Sequence, residues 1–278
     1  MFTTIDTNYK FEFKYYHHDA RKENIYDTLY EEYESGYPIF LENCIIEGLS
    51  YTYYGNLPYL YCYNNIWKSP WYSKDVKLGK PYEEMGLEDF EERHKKDEAA
   101  WTNFSRKLFP KYEFSNPCLS HRPHQLVNNK LHLDRLDSTH IAGNSSQIRL
   151  FTHFDINEPR IVGFSYNIPE LLQTRLDFNY SSSDEIRDLV ETGDLRKIVD
   201  YVDKIILRKH YKYDGLPINI FRVPSKTVWI MNGQYIAHNV IYGNLCQCYE
   251  AEIEKSFLQE ILTSPIEKIK NYEYNFHK

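Results

Sequence analysis

The sequence predicts an α+β fold that is mainly β, with helices flanking the sheets. Three observations carry this. Aromatic residues are dense, with 26 Tyr and 15 Phe in 278 residues, and such side chains suit half-buried strands. Apolar residues alternate with a period of two through the middle and the last third of the chain. Two segments break that pattern with a helical period.

The first eighty residues read as short aromatic strands and turns: YKFEFKYY, then PIFLENCIIEGLSYTYYGNLPYLYCYNNIW. Gly and Asn punctuate them as expected of a β-rich region. Over 87–108, Leu87, Phe90, His94, Trp101, Phe104 and Leu108 share one helical face, and Pro110 ends the helix. From 118 to 166 the period is two, and LHLD, QIRLFTHF and RIVGFSY read as three strands. The turn-prone STHIAGNSS separates the first two. A helix is predicted over 184–208, with its apolar stripe on Leu195, Ile198, Val199, Val202, Ile205 and Ile206. The run Ser181–Ser183 is placed to cap the turn that precedes this stripe. INIFRVP, KTVWIMNG and YIAHNVIYG read as the last strands, and the tail from Glu252 onward as a closing helix. There are no repeats and no low-complexity linker. One domain over 1–278 follows, with a β-rich N-terminal decoration over 1–86 and the core over 87–255.

Charge and cysteine usage exclude several function classes. Forty acidic against 33 basic residues leave a net charge of -7, so a general nucleic-acid binder is not expected. No apolar run approaches the length of a membrane span. The N-terminus MFTTIDTNYKFEFKYYHHD has no apolar signal region, which predicts a cytoplasmic protein. Five scattered cysteines form no disulfide framework, and Cys246-x-Cys248 lacks the second pair of a zinc site. Reduced, buried thiols are expected. No G-x-S-x-G elbow supports a serine hydrolase.

The sharpest chemical signal is Lys130-Leu131-His132-Leu133-Asp134. On a strand, His132 and Asp134 point to one face while Leu131 and Leu133 point to the other. An imidazole and a carboxylate so placed can bind one metal together, although H-x-D alone also fits a structural ion pair. His238, in Tyr235-Ile236-Ala237-His238-Asn239-Val240, lies on a second predicted strand. Two His and one carboxylate on one face of a metal form the facial triad of non-haem iron oxygenases, with positions open for a chelating 2-oxo acid and dioxygen. Arg149 alternates with Phe151 and His153 on one strand face, and its planar fork suits the far carboxylate of 2-oxoglutarate. No Arg follows Arg222 to take that role instead. His121, His124, His140 and His153 stay outside the metal set, and Trp229 is expected to pack behind His238.

The stretch LHLDRLDSTHIAGNSSQIRLFTHFDINEPRIV resembles the Kdo hydroxylases, bacterial oxygenases that modify the Kdo sugar of lipopolysaccharide. His132, Asp134, Ser138, Gly143, Arg149, Phe151, Asn157, Pro159 and Arg160 occupy matching positions. Upstream, HRPHQL and WTNFSRKLFPKY resemble family segments, and downstream Trp229, His238 and Gly243 match. The likeness covers roughly 87–255. Leu136 and Asp137 depart from the family's Phe and Pro, and the segment after Gly243 matches poorly. The resemblance implies a double-stranded β-helix (jelly-roll, cupin-like) core and an Fe(II)- and 2-oxoglutarate-dependent dioxygenase. It further implies hydroxylation at C3 of Kdo on a lipid A precursor. The protein would then work on an anionic sugar or glycolipid, with Arg122, Arg135 and Arg160 as candidate contacts to its carboxylate and phosphates, soluble or peripheral at the cytoplasmic face of the inner membrane. Two rival readings stand beside it: the same chemistry on another small metabolite or amino acid, and an inactive β-helix protein that binds a sugar or lipid.

Overall fold

The computed structural model describes residues 2–5, 13–22, 25–50, 60–63, 66–68, 90–122, 128–134, 145–178, 181–207, 216–254 and 265–276. Its strands are β1 (Thr3–Ile5), β2 (Tyr16–Asp19), β3 (Ile39–Glu42), β4 (Leu60–Tyr63), β5 (Ile66–Lys68), β6 (Phe114–Arg122) and β7 (Asn128–His132). They continue with β8 (Ser145–His153), β9 (Arg160–Asn167), β10 (Asn219–Val223), β11 (Val228–Met231), β12 (Ile236–Tyr242) and β13 (Cys246–Glu254). The helices are α1 (Leu29–Ser35), α2 (Phe90–Leu108), α3 (Ile168–Asp177), α4 (Ser183–Glu191), α5 (Leu195–Tyr201) and α6 (Pro265–Lys270).

Mainly sheet, as expected, the described chain forms two sheets. The larger runs β2-β3-β11-β8-β13-β6-β4-β5 and the smaller β1-β10-β9-β12-β7. From β7 onward the chain crosses repeatedly between them: β7 lies in the small sheet, β8 in the large, β9 and β10 in the small, β11 in the large, β12 in the small and β13 in the large. Pairing is antiparallel except for β2 on β3.

Strand alternation sorts the side chains into three cores. Phe151, Val162, Phe164, Phe221, Trp229, Met231, Ile236, Cys246 and Cys248 pack between the sheets. The other face of the large sheet presents Ile148, Leu150, Val228, Ile230, Tyr249 and Ile253 to α1 and α2. The other face of the small sheet presents Leu131, Leu133 and Ala237 to α3, α5 and α6. Each fully buried aliphatic or aromatic side chain contributes roughly 1.5–3 kcal/mol, so the helical covers stabilise both sheets rather than decorate them.

Helix α2 bears out the expected face over its described part. His94, Asp97, Ala100, Trp101, Ser105 and Leu108 are buried, and the helix ends two residues before Pro110. The expected helix over 184–208 is instead two helices and a π-helical segment, Val202–Leu207. Gly193, at φ 61, breaks it, and the Asp194 side chain restarts it by accepting from the N–H groups of Arg196 and Lys197. Ser182 caps the first piece. The closing helix from Glu252 is also corrected, since Glu252–Glu254 end β13 and α6 begins only at Pro265. Cys44, Cys118, Cys246 and Cys248 are buried free thiols. No helix among the described residues is long and apolar enough to cross a membrane.

Candidate metal centre

His132 ends β7 and stands directly opposite His238 on β12. Register therefore brings the two imidazoles to the same face, with ring centroids 4.4 Å apart. Asp134 lies just past the end of β7, and its backbone N–H donates to the Gly233 carbonyl at 2.8 Å. That bond fixes the carboxylate against the turn leading into β12. Gly233 is needed there, because a Cβ at this position would stand 1.8 Å from Asp134 Oδ2.

The donor atoms converge. Asp134 Oδ2 is 3.5 Å from His238 Nε2, and Oδ1 is 4.0 Å from His132 Nε2. One ligand atom from each residue lies within 4.8 Å of the others, the only such His/Cys/Asp/Glu group of three among the described residues. The protonation states suit a cation. His238 Nδ1–H donates to the Ile236 carbonyl at 3.0 Å, which leaves the lone pair on Nε2. Burial pushes the His238 pKa down to about 3, so the ring stays neutral. Burial also works to raise Asp134, but the Arg149 guanidinium and the two imidazoles outweigh it and hold the carboxyl below its ordinary value. Asp134 Oδ2 is buried and accepts no well-aligned hydrogen bond. Two imidazoles and one buried carboxylate whose ligand atoms converge fit a divalent metal.

Of the arginines singled out from sequence, Arg122, Arg149 and Arg160 share the face of the strands that turns between the sheets. Arg149 on β8 places Nη1 2.9 Å from Asp134 Oδ2 and Nη2 2.9 Å from Glu250 Oε2. Arg122, at the end of β6, donates through Nε to Ser120 Oγ at 3.2 Å, and its guanidinium sits 5.2 Å over the Phe151 ring. Arg160 is buried at the start of β9 and donates to the Gly243 carbonyl at 3.0 Å. Arg135, His124 and His140 lie outside the described residues. Trp229 is core, stacked on Phe151 at 5.0 Å. His153 sits away from the metal group, between the carbonyls of Glu158 and Asn244. His121 faces the opposite side of the large sheet, against His94 of α2.

Comparison with known protein families finds no match, and no curated protein matches either. Solved structures do. A Kdo hydroxylase (KdoO) in complex with succinate and Fe(III), described as a non-haem Fe(II) α-ketoglutarate-dependent dioxygenase, superposes with a TM-score of 0.61 at 18% identity. It covers 91% of this chain and 93% of that one. The chain has that fold. The same hydroxylase with α-ketoglutarate and Fe(III) gives a TM-score of 0.60 at 18% identity, over 91% and 93% of the two chains. Its cobalt(II) complex gives 0.61 at 17% identity, over 95% and 98%.

Two residues at the centre escaped the sequence reading. Glu250 was hidden because β13 was not read as a strand. In that strand Cys246, Cys248 and Glu250 alternate toward the space between the sheets, and the Cys-x-Cys-x-Glu spacing is the signal. Gly233 follows Asn232 between two predicted strands, an Asn-Gly turn signature. Nothing in the sequence says that the turn would lie against Asp134.

Proposed function

We propose that the protein is a non-haem Fe(II)- and 2-oxoglutarate-dependent oxygenase built on a double-stranded β-helix, with His132, Asp134 and His238 as its metal ligands. The observation that carries this is the convergence of the three donor atoms within 4.8 Å on the inner face of the sandwich. The alternation of β6 to β13 between two antiparallel sheets and the likeness to the Kdo hydroxylase structures support it. When bound, iron(II) with the 2-oxo acid supplies the oxidation: dioxygen puts one oxygen atom on a substrate C–H and the other into succinate, with release of CO2.

The chain's own residues do the rest. His238 presents Nε2 because Nδ1 is tied to a carbonyl. Asp134 brings the negative charge that retains the cation, and Gly233 leaves it room. The aromatic packing of Phe151, Trp229 and Phe164 keeps the space between the sheets dry. The inward arginines supply positive charge for carboxylates, with Arg149 the sequence-based candidate for 2-oxoglutarate.

For the substrate, an anionic sugar is favoured: Kdo on a lipid A precursor, hydroxylated at C3, with Arg122, Arg135 and Arg160 as candidate contacts. The protein would meet such a glycolipid at the cytoplasmic face of the inner membrane. A second reading, an amino acid or another small metabolite, draws on Glu250. This partly exposed carboxylate beside Arg149 offsets positive charge that a purely anionic substrate would need.

The test is succinate formation with Fe(II), 2-oxoglutarate and dioxygen, with and without a Kdo–lipid A acceptor, alongside His132→Ala. Succinate that rises with the acceptor and vanishes in the variant is the expected result. Succinate that needs His132 but ignores the acceptor redirects the substrate toward small metabolites. Metal binding without succinate under any condition contradicts the enzyme.

A further inference from the structure

We propose that Gln147 and Gln234, two buried amide side chains beside the Gly233 turn, receive hydroxyl groups of a polyhydroxylated substrate next to the metal centre. The proposal rests on the oxygenase reading above and names the substrate chemistry that its site takes.

Both residues are tied to the metal group by printed contacts of the chain around them. Gln147 precedes Arg149 by two residues on β8, so alternation puts it on the inward face with Arg149 and Phe151. Arg149 Nη1 lies 2.9 Å from Asp134 Oδ2. Gln234 directly follows Gly233, whose carbonyl accepts from the Asp134 backbone N–H at 2.8 Å. The turn lies against β8, because Asn232 Nδ2 donates to Ser146 Oγ at 3.0 Å. The two glutamines therefore flank one turn, beside the metal-binding carboxylate.

Their amides are buried and unmatched. Gln234 is fully buried and Gln147 is 8% exposed. Neither Oε1 nor Nε2 of Gln234 makes a hydrogen bond, and Gln147 Oε1 makes none. A buried polar group left so costs roughly 1–3 kcal/mol. Neighbouring amides do not bear that cost. Asn232, in the same turn, engages both ends of its side chain, donating to Ser146 and accepting from the Gln234 backbone N–H at 3.1 Å. Gln247, as deeply buried, is engaged by Trp101 and Asp97.

The unmatched atoms select the ligand. They are two carbonyl oxygens, which accept, and one amide nitrogen, which donates. A carboxylate or phosphate brings only acceptors and would oppose both oxygens. An ammonium brings only donors and would leave Gln234 Nε2 unmatched. A hydroxyl both donates and accepts, so neighbouring hydroxyls satisfy all three atoms. Glu252, opposite Gln147 across the sheet, adds a further acceptor for such donors. The polyol part of a sugar thus meets the metal centre, and an amino acid fits the same atoms worse.

The experiment is anaerobic calorimetry on the full chain with saturating Co(II) and 2-oxoglutarate. The probes are the methyl glycoside of Kdo and the same glycoside stripped of its ring hydroxyls. Wild type should bind the glycoside at least about tenfold more tightly than the stripped analogue, since a site built for hydroxyls rejects a ligand lacking them. Gln147→Leu and Gln234→Leu should each weaken glycoside binding by about tenfold and leave Co(II) and 2-oxoglutarate binding unchanged. Both variants should melt no lower than wild type, because an unmatched buried amide has been removed. A purely structural role gives the opposite signs: lower melting temperatures with glycoside binding intact overturn the proposal. Wild type that binds the two sugars equally, or binds neither, also overturns it, and this comparison needs no variant to fold. A loss that falls on 2-oxoglutarate rather than on the glycoside does the same. Wild-type protein that takes no metal contradicts the oxygenase reading instead, and the two sugars titrated into that protein still test the amides.

Discussion

The large sheet separates two polar clusters made of nearly the same residues. Between the sheets are His132, His238 and Asp134. Under α2, on the other face, are His94, His121 and Asp97. Both gather two imidazoles and a carboxylate, with only His132 partly exposed, and their chemistry differs because their donors and acceptors are matched differently. Under α2, Gln247 mediates. Its amide N–H donates to Asp97 Oδ2 at 2.7 Å, and its carbonyl accepts from the Trp101 indole at 2.9 Å. Asp97 Oδ1 also accepts from the Ser50 backbone N–H, and His94 Nδ1 meets His121 Nε2 at 3.0 Å. Hydrogen bonds join that cluster and hold α2 to β6 and β13. Between the sheets no side-chain amide among the described residues joins the three side chains, and one ligand atom from each lies within 4.8 Å of the others. Residue type does not distinguish a candidate metal centre from a structural network; convergence of ligand atoms does.

The largest effect expected to break this comparison comes from Gln247→Leu. It leaves the buried Asp97 and the Trp101 indole without their partner and should cost about 3 kcal/mol of unfolding free energy, measured by urea denaturation. The thermal stabilisation by added metal should survive in that variant. Asp134→Asn should instead abolish the metal-induced rise, which for wild type should reach about 2.7 kcal/mol at a hundredfold excess over Kd.

Acid should act on both clusters, by the same sign. Burial depresses the pKa of His238 to about 3 and lowers His121 well below its ordinary 6.5. The folded protein therefore binds fewer protons than the unfolded chain below about pH 6.5. Stability is full above that value and falls as pH drops beneath it, by about 1.4 kcal/mol per pH unit for each such imidazole. Denaturation midpoints between pH 7 and 4 check this, and His121→Gln should make the slope shallower. An unchanged slope would mean that His121 is not buried as a neutral ring.

A smaller and more local effect is expected from Gly233→Ala. The added methyl collides with Asp134 Oδ2, so the carboxylate must turn away. Metal affinity should fall by about 10–100-fold, while the network under α2 and its stability contribution stay intact. Calorimetry and denaturation together separate the two.

Much of the centre was legible before the fold. His132 and Asp134 sit at a spacing that strand alternation turns into one face, and His238 lies in a segment with clear β character. Their cross-strand pairing was not legible, because register depends on turns and partners far apart in sequence. β7 to β12 were readable from period two. β13 was not, since its inward face carries Cys246, Cys248, Glu250 and Glu252 rather than an apolar stripe, and Glu250 makes sense only opposite Arg149. Helix α3 was missed because Asn167 both ends β9 and caps the helix, with Glu170 completing a capping box. The strand thus runs into the helix with no loop between to mark the change. The break at Gly193 was visible in the sequence, but the apolar stripe on either side masked it.

The most direct test of the central claim is anaerobic titration of Fe(II) followed by 2-oxoglutarate, read by metal analysis and by the visible charge-transfer absorption of the chelated acid. The account predicts one iron and one 2-oxo acid per chain in the wild type, and neither the absorption nor stoichiometric iron in His132→Ala, Asp134→Ala or His238→Ala variants that remain folded. Iron bound equally well by the wild type and by all three variants would contradict it.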